Sequence, residues 1–331
     1  MSLSISRTAF LFVLVICGDA VLSKKFAEGV ENASFKNACY DGKDPILWDT
    51  KRKLEEFAKG PCSPAVLLAG IGGSTLRVMV DCPKLLLNSP EVFPICGWTG
   101  CGAKDKKPDS EYQIWVSAPV SPMSILSPDE KNKDCFAAFI AASYDLSSSI
   151  PTYKPKPGIT LKATGTTPES RSYSASQCGA TGIMDLIPDI PNPQLTENYK
   201  GIIHRLEYMG YEHGLTMQSI PYDFRVNSDM DPLAGYYAKV IEELSKMNNK
   251  KVIIVAHSMS NLRTSYMLWK QSQTWKDTYI ANYMAIAPPY MGTGKVINFL
   301  TCGSDEYTFP LHSGFDWATY KKTILNFSSM W

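Results

Sequence analysis

The sequence predicts an α/β fold, a mostly parallel sheet flanked by helices, and three observations carry that expectation. Beyond Pro193, short apolar runs alternate with stretches of helical spacing, the order expected of strands joined by covering helices. Two runs, AVLLA at residues 65–69 and KVIIV at 251–255, are rich in aliphatic residues and show no polar alternation, as strands buried on both faces do. Each run ends in a turn of small residues, AGIGGS and AHSMS, where backbones can approach closely.

Taken in order, the chain opens with Arg7, the apolar run AFLFVLVIC and small residues at Ala20 and Ser23. This reads as a secretory signal over residues 1–23. The run is shorter than the roughly 20 residues that cross a bilayer, with a signal anchor as the alternative. Residues 24–331 are expected to form one partial domain. A helix is expected over 48–59 and a buried strand over 65–69. Residues 81–185 change character, with five cysteines, many prolines and Ser/Thr/Gly-rich stretches. They read as an irregular lid or cap insertion of short strands and loops, stapled by disulfides.

Regular alternation resumes with a helix over 199–209. Ile202, Ile203, Leu206 and Met209 share one face of it, and Gly210 ends it. A strand follows over 215–220 and a helix over 232–247 with proline near its start. The strand 251–255, a helix over 262–271 and a strand over 281–287 complete the pattern. Two further strand–helix units of roughly 30 residues each do not fit after residue 287. The C-terminal strands of a full sheet are therefore expected to be missing.

Composition narrows the partners. The chain has 331 residues, 33 basic and 32 acidic, and a formal charge of +1. No basic stripe suits it to nucleic-acid phosphates. Without Cys17 in the signal, the cysteines are even in number, as disulfides formed in an oxidising lumen require. Cys96 and Cys101 lack a second closely spaced Cys or His pair, so no metal site is expected. AGIGGS has no G-K-[ST] and is not a nucleotide loop; no cofactor is expected. Asn32 and Asn326 head N-x-S triplets and are glycosylation candidates.

Ser258, in VIIVAHSMSNL, lies between a buried run and a helix. A nucleophile elbow needs that order and small residues two positions either side of the serine, here Ala256 and Ser260. A helix N-cap is the alternative use of such a serine. If Ser258 is a nucleophile, a developing oxyanion would be met by the Met259 amide and by a second amide from the turn after an earlier strand. Ile71 in AGIGGS is the candidate for that second donor. In such a fold the acid and base follow the serine. Only His312 does so among the histidines, making it the base candidate, although it falls in a tail that reads as loop or cap.

Several collinear segments, together with Ser258, resemble the lecithin:cholesterol acyltransferase family, an α/β-hydrolase group of phospholipases and phospholipid-using acyltransferases. They are VLLAGIGGSTL, EYQIW, KPGITLKATG, YKGIIHRLEYMGY, PYDFR, the elbow itself and TWKDTYIANYMAIAPPYMGT. The resemblance covers most of the chain beyond about residue 60. It implies that Ser258 takes an acyl group from a phospholipid, with Ile71 and Met259 as oxyanion donors. It places Trp115 as an aromatic lid residue meeting lipid, with ordinary packing as the other reading. Cys101 and Cys135, which bound that insertion, are disulfide candidates. Tyr222, Asp223 and Arg225 would form a charge-assisted network beneath the site.

Three departures stand out. Ala69 replaces the family's usual proline, Ser260 replaces its second elbow glycine, and its C-terminal acid and histidine have no matching positions. The expected function is lipid-metabolising acyl transfer or phospholipase A chemistry through an acyl-serine. The alternative is a catalytically silent secreted relative that binds lipid or protein. Expected partners are a phospholipid or other acyl-lipid, an acceptor (sterol, lipid alcohol or water) and a lipid or membrane surface. The expected location is secreted or within an endomembrane or vacuolar lumen.

Overall fold

Parallel strands require crossover connections, and apolar helix faces laid on the sheet supply them. The computed structural model describes residues 59–60, 62–88, 111–115, 130–142, 144–145, 147, 152–154, 156–163, 179–186, 197–227 and 234–294. The elements, in chain order, begin with β1 (Ala65–Leu68), β2 (Leu76–Val80), α1 (Cys82–Asn88), β3 (Glu111–Trp115) and α2 (Glu130–Ile140). Next come β4 (Tyr144–Asp145), β5 (Thr152–Tyr153), β6 (Ile159–Ala163) and a 3₁₀ turn at Thr181–Ile183. The last group is α3 (Lys200–Tyr208), β7 (Met217–Ser219), α4 (Ala234–Asn248), β8 (Val252–His257), α5 (Ser260–Lys270), α6 (Gln273–Tyr279) and β9 (Ile280–Ile286).

The main sheet has the order β7-β1-β8-β9, with every pairing parallel. Its two faces are dressed by different helices. Val66, Leu68, Val252, Ile254 and Ala256 share one core with Tyr237, Ile241 and Leu244 of α4. The alternate residues Ala65, Leu67, Ile253 and Val255 join Ile203 and Leu206 of α3 on the opposite face. The two-residue side-chain period of a strand thus feeds two cores, which is why neither apolar run alternates with polar residues.

Element boundaries shift by at most two residues from expectation. Helix α3 ends as the sequence requires, with Gly210 at a φ of 91°. Helix α6, directly before β9, was not foreseen. The segment expected to be irregular is more regular than that. It contributes β3 and β6, which flank β2 in an antiparallel sheet, and the eleven-residue α2, whose Phe136, Phe139 and Ile140 are buried. Strand β2 begins before the expected boundary at Asp81, so this small sheet is continuous with the first turn of the main fold.

Cys62, Cys82 and Cys135 are each disulfide-bonded. Residues 1–23, Asn32, Cys101, His312 and Asn326 lie outside the described residues, as does most of the expected 48–59 helix. Among the described residues no helix is long and apolar enough to cross a membrane. Among the same residues no group of three or more His, Cys, Asp or Glu is arranged to hold a metal ion.

Candidate active site

The carboxyl ends of β1 and β8 lie side by side, Leu68 opposite Ala256, so the two small-residue turns emerge together. At the β8 turn Ser258 has a φ of 54°, in the left-handed region that a residue with a Cβ enters at a cost of about 1–3 kcal/mol. It is held there by backbone bonds. Its N–H donates to the Ile286 carbonyl at the end of β9 (2.9 Å), and its carbonyl accepts from the Asn261 N–H (3.0 Å) and Nδ2 (2.9 Å). Asn261 Nδ2 also donates to Ile286 (3.1 Å), and Tyr283 Oη donates to Asn261 Oδ1 (2.7 Å).

The cap alternative for this serine does not hold. Met259 is the N-cap residue of α5, with φ −57° and ψ −30°, and no side chain caps the helix. The Ser258 hydroxyl bonds to no side chain among the described residues, and the residue is half-buried. A serine that caps no helix, on a left-handed turn between a parallel strand and a helix, has the local order that a nucleophile elbow requires.

Ser260 shows how this elbow accommodates a side chain two residues on. Its hydroxyl is fully buried, accepts from the His257 N–H (2.9 Å), and lies within donating distance of the carbonyls of His257 (2.8 Å) and Leu68 (3.0 Å). The hydroxyl therefore ties the end of β8 to the end of β1. Thr264 Oγ1 donates to the Ser260 carbonyl one turn later (2.9 Å).

The facing turn, residues 69–74, is closed by Gly73 N–H donating to the Gly70 carbonyl (3.0 Å), with Gly72 at a φ of 70°. Positive φ at that position of the turn selects glycine. Gly70 matters for proximity: a Cβ built on it would sit 3.1 Å from both the Ser258 Cβ and the His257 Nδ1. The two turns are in van der Waals range.

The PYDFR segment supports this turn from below. Tyr222 Oη donates to the Ala69 carbonyl (2.9 Å), and the Tyr222 N–H donates to Ser74 Oγ (3.2 Å). The buried guanidinium of Arg225 forks onto Asp223, Nε to Oδ1 at 2.9 Å and Nη2 to Oδ2 at 2.6 Å. It also donates to the Ile140 carbonyl (2.7 Å) and to Tyr153 Oη (3.1 Å). Arg263 of α5 lies over the Tyr222 ring at 4.3 Å and donates to the carbonyls of Asp223 and Val226. The network thus fastens the segment between α2, β5 and α5.

Trp115, at the end of β3, packs edge-on against Phe224 with ring centroids 5.2 Å apart, and its Nε1 donates to the Gly72 carbonyl (2.7 Å). Asn198 Nδ2 donates to the Gly73 carbonyl (2.7 Å), and the Tyr199 phenol, pushed up by burial and then by Tyr222, donates to the Leu68 carbonyl (2.8 Å). Sequence reasoning missed Asn198 and Tyr199, because their partners are main-chain carbonyls more than a hundred residues away. His213 is committed elsewhere: it accepts from the Ala180 N–H (2.9 Å) and pairs with Glu207 (2.7 Å).

A strained serine between strand and helix, on a parallel sheet with helices on both faces, is consistent with the α/β-hydrolase class. Comparison with known proteins narrows this. The family model for lecithin:cholesterol acyltransferase matches residues 152–323, and the chain belongs to that family. It is 26% identical over 252 residues to the lysosomal phospholipase A and acyltransferase of Bos taurus, covering 76% of this chain and 53% of that protein. It is 34% identical over 113 residues to the phosphatidylcholine-sterol acyltransferase of Gallus gallus, covering 34% and 27% respectively. It is 22% identical over 246 residues to the human protein of that name, covering 73% and 47%. The chain spans about half the length of the first of these relatives.

Proposed function

We propose that this chain is a lipid-metabolising serine acyltransferase or phospholipase A that works through an acyl-serine on Ser258. The observation that carries the reading is the left-handed Ser258 at the β8–α5 turn, in contact range of the Gly70 turn. In the reaction, Ser258 Oγ attacks the ester carbonyl of a phospholipid while its proton passes to a base. The carbonyl π electrons move onto oxygen, giving a tetrahedral oxyanion. Collapse expels the lysophospholipid alkoxide, which takes the proton, and leaves an acyl-serine. Water or a lipid alcohol then attacks the ester, releasing fatty acid or a new ester and restoring the serine.

Ile71 and Met259 are the proposed oxyanion donors. Their support is geometric. A trans peptide sets N–H opposite C=O, so the Gly73 bond to the Gly70 carbonyl turns the Ile71 N–H to the outer side of its turn. The Met259 amide opens α5, where the helix dipole favours negative charge. Trp115 beside Gly72 would give the acyl chain an aromatic wall, with the Cys101–Cys135 disulfide bounding the lid. His312 is the base the sequence offers. The names of the relatives support phospholipid as donor, sterol among the acceptors, and a lysosomal site of action.

Phosphatidylcholine vesicles incubated with the full chain provide the test. Lysophospholipid release that disappears in Ser258→Ala is expected. Vesicle binding with no lysophospholipid would favour a silent lipid-binding relative instead.

A further inference from the structure

We propose that Trp115 and Asn198 are positioning residues for acyl transfer, a clamp that holds the 69–74 turn rigid so that the Ile71 amide is fixed before substrate arrives. The inference rests on the acyl-transfer reading above; it adds Asn198, which has no role there, and gives Trp115 a second role beside lining the acyl chain. Among the described residues, every carbonyl from Leu68 to Gly73 except that of Ile71 accepts a hydrogen bond. Leu68 and Ala69 are held by the phenols of Tyr199 and Tyr222, and Gly70 by the turn itself. The last two, Gly72 and Gly73, are held at 2.7 Å by Trp115 Nε1 and Asn198 Nδ2.

Glycines at positions 70, 72 and 73 would otherwise leave this the most permissive backbone in the site. They are required by crowding. A Cβ on Gly72 would meet the Trp115 ring at 3.2 Å, and one on Gly73 would meet Ala69 Cβ and Asn198 Nδ2 at 2.7 Å. The side chains that demand glycine are thus the ones that remove its freedom. Oxyanion donors act best when they need no reorganisation during the reaction. The two side chains reach the turn from distant places, the end of β3 and two residues ahead of α3, so the clamp joins the antiparallel sheet to the turn that faces the elbow.

The experiment uses the full chain in three forms: unaltered, with Trp115 replaced by 3-benzothienyl-alanine, which keeps the ring shape and lacks the N–H, and with Asn198→Leu. Hydrogen exchange is followed at the amides of residues 70–74, with residues 252–257 of β8 as internal reference. Phosphonylation of Ser258 by a p-nitrophenyl alkylphosphonate is followed as both rate and apparent reagent affinity. The expected result is about fivefold faster exchange in the turn with β8 unchanged, as one lost hydrogen bond gives. Phosphonylation should slow roughly tenfold at unchanged reagent affinity.

Unchanged turn exchange, or equal acceleration in β8, overturns the clamp. Phosphonylation of the variants at the unaltered rate overturns it too, while leaving the acyl-transfer reading intact. An unaltered chain that is not phosphonylated sinks the acyl-transfer reading, and this role with it.

Discussion

A side chain begun on Gly70 would touch the Cβ of Ser258 at 3.1 Å and His257 Nδ1 at the same distance. The spacing sets how close the two turns of the site can be, and Gly70→Ala measures it. The neighbours must yield by a few tenths of an ångström, which costs about 1–2 kcal/mol of stability. If Ser258 is the nucleophile proposed, displacing it from the Ile71 and Met259 amides costs more in rate, so phosphonylation of Ser258 should slow about tenfold or more. A stopped-flow assay with the alkylphosphonate, alongside urea unfolding, checks both numbers.

Ser260 occupies a place where glycine would be sterically ideal, yet its hydroxyl joins His257 and Leu68. Ser260→Gly therefore does not relieve the elbow. It leaves the His257 N–H without that partner, and unfolding free energy should fall by about 1–3 kcal/mol. Equilibrium denaturation decides, and a stability equal to that of the unaltered chain would contradict the role given to the hydroxyl.

Arg225 is buried with its fork closed on Asp223. Arg225→Met strands a carboxylate whose side chain is only 15% exposed, and the loss should be about 3–5 kcal/mol. Adding Asp223→Asn removes the stranded charge and should recover part of the loss. Denaturation of the two single variants and the double variant, set out as a thermodynamic cycle, measures the coupling.

Burial lowers the His257 pKa below its ordinary value of 6.5. The unfolded chain therefore takes up this proton first as pH falls through about 6.5, and stability drops from there down to the folded-state pKa. His257→Gln should flatten the decline of the denaturation midpoint between pH 7.5 and 5.5. Parallel declines in the two chains would show that His257 does not contribute to it.

The main sheet was legible in the sequence because its strands are buried on both faces. Runs such as VIIV, bounded by small-residue turns, have few other uses. Helix α3 was legible through its Ile202–Ile203–Leu206 spacing and Gly210. The tight strand–turn–helix around Ser258 could be read from Ala256, Ser258 and Ser260, and the family from the collinear order of its segments. The regularity of the 81–185 segment was hidden because α2 has a nearly balanced composition and its strands are short. What positions the candidate site was hidden for another reason. Asn198 and Tyr199 act on carbonyls, and a carbonyl leaves no trace in the identity of the residue that bears it.

The central claim is tested most directly by locating the phosphonate adduct. The folded full chain is treated with the alkylphosphonate, digested and mapped by mass spectrometry, in unaltered form and as Ser258→Ala. The account predicts a single adduct on the peptide carrying Ser258 and none in the variant. No adduct on the folded chain, or one that persists in Ser258→Ala, would contradict it.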